Sequence, residues 1–98
     1  MTKADLINEY KDRRLEHAEI KKTRDENQYT LDYVIANYWT EIGGTATEKR
    51  TTINGVEEVY KLRCAQAELD AEVSKAWAIA DAARLRVQAA IYARESDE

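Results

Sequence analysis

Proline is absent from all 98 residues, and glycine occurs only three times, at 43, 44 and 55. These are the two strong helix breakers and the usual punctuation of loops. Their scarcity excludes a loop-rich fold and leaves two uninterrupted arms of nearly equal length. Cysteine occurs once, at Cys64, so no intramolecular disulfide is available. Histidine also occurs once, at His17. A metal centre needs three or four clustered ligands, and no such cluster is present, so neither a metal nor a cofactor is expected. There is no phenylalanine, which predicts a thin, closely packed core. No apolar run approaches the ~20 residues of a membrane span. The opening Met1-Thr2-Lys3-Ala4-Asp5 lacks the apolar stretch of a signal peptide, and a cytoplasmic location is the expectation. A Gly-rich phosphate loop is missing as well; Gly43-Gly44 alone is a helix terminator.

What is present is helix-forming. Residues 56–98 contain 11 alanines and no Gly or Pro. Alanine has the best intrinsic helix propensity. The segment predicts one helix of roughly 60 Å at about 1.5 Å per residue. Such a helix cannot fold back on its own face and needs a partner. The first arm supplies one, and equal arms around a short connector predict an antiparallel hairpin. The expected layout is a single all-α domain over 1–98, with a helical arm 3–42, a connector 43–55 and a second arm 56–96.

The first arm opens on Thr2-Lys3-Ala4-Asp5, a capping box with Asp in place of Glu. Leu6, Tyr10, His17, Ile20, Leu31, Val34 and Tyr38 recur at three-and-four spacing. The same stripe passes through Arg13, Arg24 and Asn27, and residues 21–28 hold no apolar side chain. A continuous or kinked helix is preferred there over two helices, the second of which Asp25 with Gln28 would cap. In the connector, Thr51-Thr52-Ile53-Asn54-Gly55 has two readings. Asn54 caps the second helix with Glu57 at its third position, or Asn54-Gly55 turns a small β-hairpin. The cap is the preferred reading.

The second arm reads as heptads. Val59, Gln66, Val73, Ala80, Val87 and Arg94 fill one position, and Leu62, Leu69, Ala76, Ala83 and Ala90 the position three later. Opposite this seam runs a second stripe: Cys64, Ala71, Ala78, Leu85 and Tyr92, with Ala82 and Ala89 beside it. A helix apolar on two sides is normally buried on two sides. The hairpin covers only one, so a coiled-coil-like homodimer, closing into a four-helix bundle, is expected.

Catalysis finds no support. Cys64 and His17 fall far apart in an antiparallel hairpin, and Cys64 reads as a small core residue. The carboxylates alternate with Lys and Arg; Glu9–Arg13, Lys21–Asp25, Lys22–Glu26 and Glu57–Lys61 are helix-surface pairs. Arg13, Arg14, Lys21, Lys22 and Arg24 form the only basic cluster. Seven acidic and seven basic residues share the first 28 positions, so a nucleic-acid interface over 13–24 is the alternative and not the main reading.

Aromatic residues crowd the connector: Tyr29, Tyr33, Tyr38, Trp39 and Tyr60. They suit either a small core or an interaction hot spot. The expected function is therefore a non-enzymatic protein-binding module, acting as an adaptor or as a small steric inhibitor of a larger protein. A structural assembly subunit is a further alternative. The expected partner-binding residues are Tyr33, Tyr38, Trp39, Trp77, Leu85 and Tyr92. Trp77 is expected to be shielded by hairpin or dimer packing, and Trp39 to be partly accessible.

Overall fold

The structure is a computed structural model that describes residues 2–96, and the side chains of 2–93. It is all-helical: α1 (Lys3–Glu41), α2 (Ala46–Asn54) and α3 (Glu57–Ser96). No strand occurs among the described residues. The side chain of Arg94, placed on the seam by its spacing, lies outside the described ones.

Helix α1 begins as its capping box requires. The Thr2 amide donates to Asp5 Oδ2 at 3.0 Å, and the Asp5 amide donates to Thr2 Oγ1 at 3.1 Å. The Thr2 amide foremost, and then the Thr2 hydroxyl, hold the Asp5 carboxyl below the usual carboxylate range. The helix runs without a break through residues 21–28, as preferred above. The polar stretch is accommodated by a pairing across helices: Asn27 Nδ2 donates to the Leu62 carbonyl at 3.1 Å and to Gln66 Oε1 at 2.8 Å.

Both readings of the connector need correction. There is no β-hairpin, and Asn54 does not cap the last helix. Residues 46–54 form a helix of their own. Thr45 is its N-cap, with a reciprocal capping box to Glu48 at 3.3 Å in each direction. Asn54 is the last residue of α2; its side chain accepts from the Arg63 guanidinium. The Gly55 amide closes the α2 terminus on the Thr52 carbonyl at 3.1 Å. The Val56 carbonyl then accepts from Tyr60 at 3.0 Å, which starts the α3 ladder one residue after the glycine. A capped local helix outcompetes the hairpin because Thr45-Ala46-Thr47-Glu48 satisfies the orphan amides of a first turn.

The chain packs as two compact units. One is residues 22–70; the other joins the chain up to Lys21 with the chain from Ala71. In the first, Leu31, Ile53 and Val59 form a core to which all three helices contribute. Val34, Ile35, Tyr38, Trp39, Ile42 and Leu62 pack around it. Val59 is wholly buried, and burying such an aliphatic stabilises by about 1.5–3 kcal/mol.

In the second unit α3 supplies the buried residues Val73, Ala80 and Ala83. The α1 side is only half-buried, at Leu6, Tyr10, Arg13, His17 and Ile20. Small side chains on one helix meet long, polar-tipped ones on the other. Arg86 donates to Glu9 Oε1 at 2.7 Å across this pair of helices. The heptad seam read from the α3 sequence lies inward throughout the described side chains, with Val59, Val73, Ala80 and Ala83 buried and the others half-buried.

Candidate functional site

The expected partner-binding residues separate into two environments. Around the connector, Tyr38 and Trp39 are half-buried against the Leu31–Ile53–Val59 core. Tyr38 Oη donates to Glu58 Oε2 at 3.3 Å. Desolvation, then the Glu58 carboxylate, pushes the Tyr38 hydroxyl pKa up. Lys49 stands over the Trp39 ring, 5.2 Å from its centroid, and donates to the Trp39 carbonyl at 3.1 Å. Tyr33 points away from this core and is 61% exposed, one turn after the still more exposed Tyr29.

In the other unit, Trp77 is 58%, Leu85 50% and Tyr92 67% exposed. Hairpin packing therefore leaves Trp77 open, contrary to one of the two ways it was expected to be shielded. Beside Trp77 lies a cleft of about 280 Å³ lined by Tyr10, Arg14, His17, Ala80, Asp81 and Arg84. The Arg14 guanidinium sits 5.6 Å from the Tyr10 ring centroid. Arg84 holds Asp81 Oδ1 through Nε and Nη2, both at 2.9 Å. Ala80, the one alanine in its lining, is too short to fill the space between Trp77 and the α1 side chains.

The second stripe of α3 is exposed at Cys64, Ala71, Ala78, Ala82, Leu85, Ala89 and Tyr92. Cys64 is thus not a core residue. Hydrogen bonding with its thiol, one turn on, pushes the Tyr60 hydroxyl pKa up. Two exposed apolar residues drew no expectation as binding residues. Ile79 is exposed on the flank of the stripe, and Leu15 on the outer face of α1. Leu15 falls off the three-and-four stripe, which was the available signal for its exposure.

The basic residues are largely engaged with nearby carboxylates. Arg13 pairs with Glu16 at 3.1 Å instead of with Glu9, which binds Arg86. Arg24 pairs with Asp25 at 3.1 Å, displacing the expected Lys21–Asp25 pair, and lies 3.9 Å from Asp70. The expected Lys22–Glu26 and Glu57–Lys61 pairs are present at 4.0 and 3.1 Å. Among the described residues, no group of three or more His, Cys, Asp or Glu has the placement to hold a metal ion. No described helix is long and apolar enough to cross a membrane. No family model matches the chain, and neither a similar curated protein nor a similar solved structure is found.

Proposed function

We propose that this chain is a non-enzymatic protein-binding module that works through its helix surfaces, as an adaptor or as a small steric inhibitor of a larger protein, and that it self-associates. The observation that carries the reading is the exposure of Trp77, Ile79, Leu85 and Tyr92 on one helix whose other face is already packed. Leu85 and Tyr92 lie on the outer stripe, with Trp77 on one flank and Ile79 on the other, and large apolar side chains left exposed mark interaction surfaces. Trp, Tyr and Arg dominate binding hot spots, and all three meet at the cleft beside Trp77. The half-buried Trp39 and Tyr38 serve the connector core in this reading, and the exposed Tyr33, with Tyr29 and Tyr60, is left for a partner.

The test is site-specific photocrosslinking in extract of the native host, with a photoreactive amino acid at position 77 and, as control, at exposed position 26. A discrete adduct at 77 and none at 26 is expected. Trp77→Ala should weaken binding of the captured protein by about 2 kcal/mol or more, the usual hot-spot threshold. Helicity should be unchanged. Equal labelling at 77 and 26, or a captured protein indifferent to Trp77→Ala, overturns the reading.

A further inference from the structure

We propose that the outer face of α3 from Ala71 to Tyr92 is a self-recognition surface that docks antiparallel onto the same face of a second copy of this chain. The inference rests on the protein-binding reading and gives one of its partners an identity.

The face is built like a helix seam. Residues 71, 75, 78, 82, 85, 89 and 92 alternate steps of four and three, the spacing that keeps one side of a helix turned toward a partner helix. All seven are exposed, and all but Lys75 are apolar. Leu85 and Tyr92 supply bulk, and four alanines keep the surface low, so a second backbone can approach closely.

Charge selects the occupant. Glu72, Ile79 and Arg86 follow one another at seven-residue intervals along one flank of the seam. An antiparallel copy related by a two-fold axis near Ile79 brings Glu72 opposite Arg86 of the second copy, and Arg86 opposite its Glu72. Ile79 then meets Ile79, and Ala78 meets Ala82. Each contact is made twice, as a self-complementary two-fold interface requires. Lys75 falls opposite Leu85, over which its aliphatic stem can lie with the ammonium in water. A parallel copy would instead set Lys75 against Lys75 inside the seam. On the other flank the antiparallel arrangement brings Asp81 near its own counterpart, but each Asp81 carboxylate is already held by the two Arg84 donors. Arg86 gives Nη2 to Glu9, and a guanidinium has five donors, which leaves others for Glu72.

Light scattering after size exclusion tests the proposal on the whole chain, in a Cys64→Ser background that removes adventitious thiol linkage. A dimer at micromolar concentration is expected. Glu72→Arg should raise the dimer dissociation constant about tenfold or more, by losing two opposite-charge contacts and creating two like-charge ones. Adding Arg86→Glu to Glu72→Arg, with Glu9→Arg to keep the intrachain pair of residue 86, should restore wild-type affinity to within about threefold, the recovery that a direct pair gives. Ala82→Glu, at an exposed position that does not threaten the fold, should abolish the dimer. Cysteine at 78 in one chain and at 82 in the other should cross-link faster than 78 with 78. A monomer at about 100 μM, a dimer indifferent to Ala82→Glu, or a charge swap that fails to recover overturns the proposal. A monomer would also remove the self-association from the proposed function, but none of these outcomes touches the Trp77 crosslinking result, on which the protein-binding reading stands or falls by itself.

Discussion

Gly44 is the one described residue with a positive φ, at 109°. Side chains with a Cβ rarely adopt that conformation. A Cβ there would also meet the Glu48 carboxylate that completes the α2 capping box. Its neighbour Gly43 has open space around the same position. The two adjacent glycines should therefore respond oppositely to alanine. Gly44→Ala should destabilise by about 1–2 kcal/mol through backbone strain and a displaced Glu48. Gly43→Ala should be neutral, or stabilising by up to ~1 kcal/mol through a less flexible unfolded chain. Chemical denaturation of the two variants side by side measures this. Equal losses would mean that the turn is set by something other than the Gly44 backbone.

At the scale of elements, α2 is the feature the spacing of apolar residues concealed. It is nine residues long and buries only Ile53, so it carries almost no periodic signal. Its signature is local: Thr45-Ala46-Thr47-Glu48 directly after two glycines. Thr45→Ala should cost about 1 kcal/mol, the usual value of an N-cap hydroxyl, and should speed amide exchange of Glu48 first. Unchanged protection at Glu48 would rule the capping box out as the start of α2. The same competition explains Asn54. Asn-Gly is a strong hairpin turn only when strands flank it, and here the preceding residues are already helical. The long helices were legible because composition and the heptad of α3 agree with each other. The polar middle of α1 was legible as continuous, but its partners Leu62 and Gln66 were not. Which polar group crosses to which depends on register, and periodicity does not fix register between helices. The exposure of Cys64 follows from the stripe on which its spacing placed it, and taking it for a core residue assumed a cover that the hairpin does not supply.

At the scale of the whole chain, an all-helical fold was readable from what is missing: Pro, and all but three Gly. The placement of apolar bulk was readable in part. A two-sided α3 was evident from the heptads, and the outer side is exposed within the chain. That Trp77 would be left open within the chain was not evident, whereas the half-buried Trp39 keeps the partial access expected of it. Trp39 lies near the connector, where α2, itself unforeseen, brings Lys49 over its ring. Trp77 shares its cleft with Tyr10, Arg14 and His17 of α1 and with Ala80, and these leave it 58% exposed.

The division of the chain into two units also orders events in time. The unit of residues 22–70 has every part it needs within one stretch of sequence, with partners such as Asn27 and Leu62 35 residues apart. The other unit joins segments from opposite ends of the sequence, and its Glu9–Arg86 pair spans 77 residues. Loop closure alone separates the two by only about 0.7 kcal/mol. The apolar reward widens the gap, because Leu31, Ile53 and Val59 sit in the first unit and the second buries mainly alanine. Refolding should thus start at the connector and close toward the ends. Ile53→Ala should slow refolding, whereas Ala83→Gly should chiefly hasten unfolding; stopped-flow kinetics of the two variants distinguishes this order from its reverse. In synthesis the α1 segment up to Lys21 emerges before the α3 segment from Ala71 on which it packs, so each newly made molecule passes through an interval in which that half of α1 lacks its α3 partner.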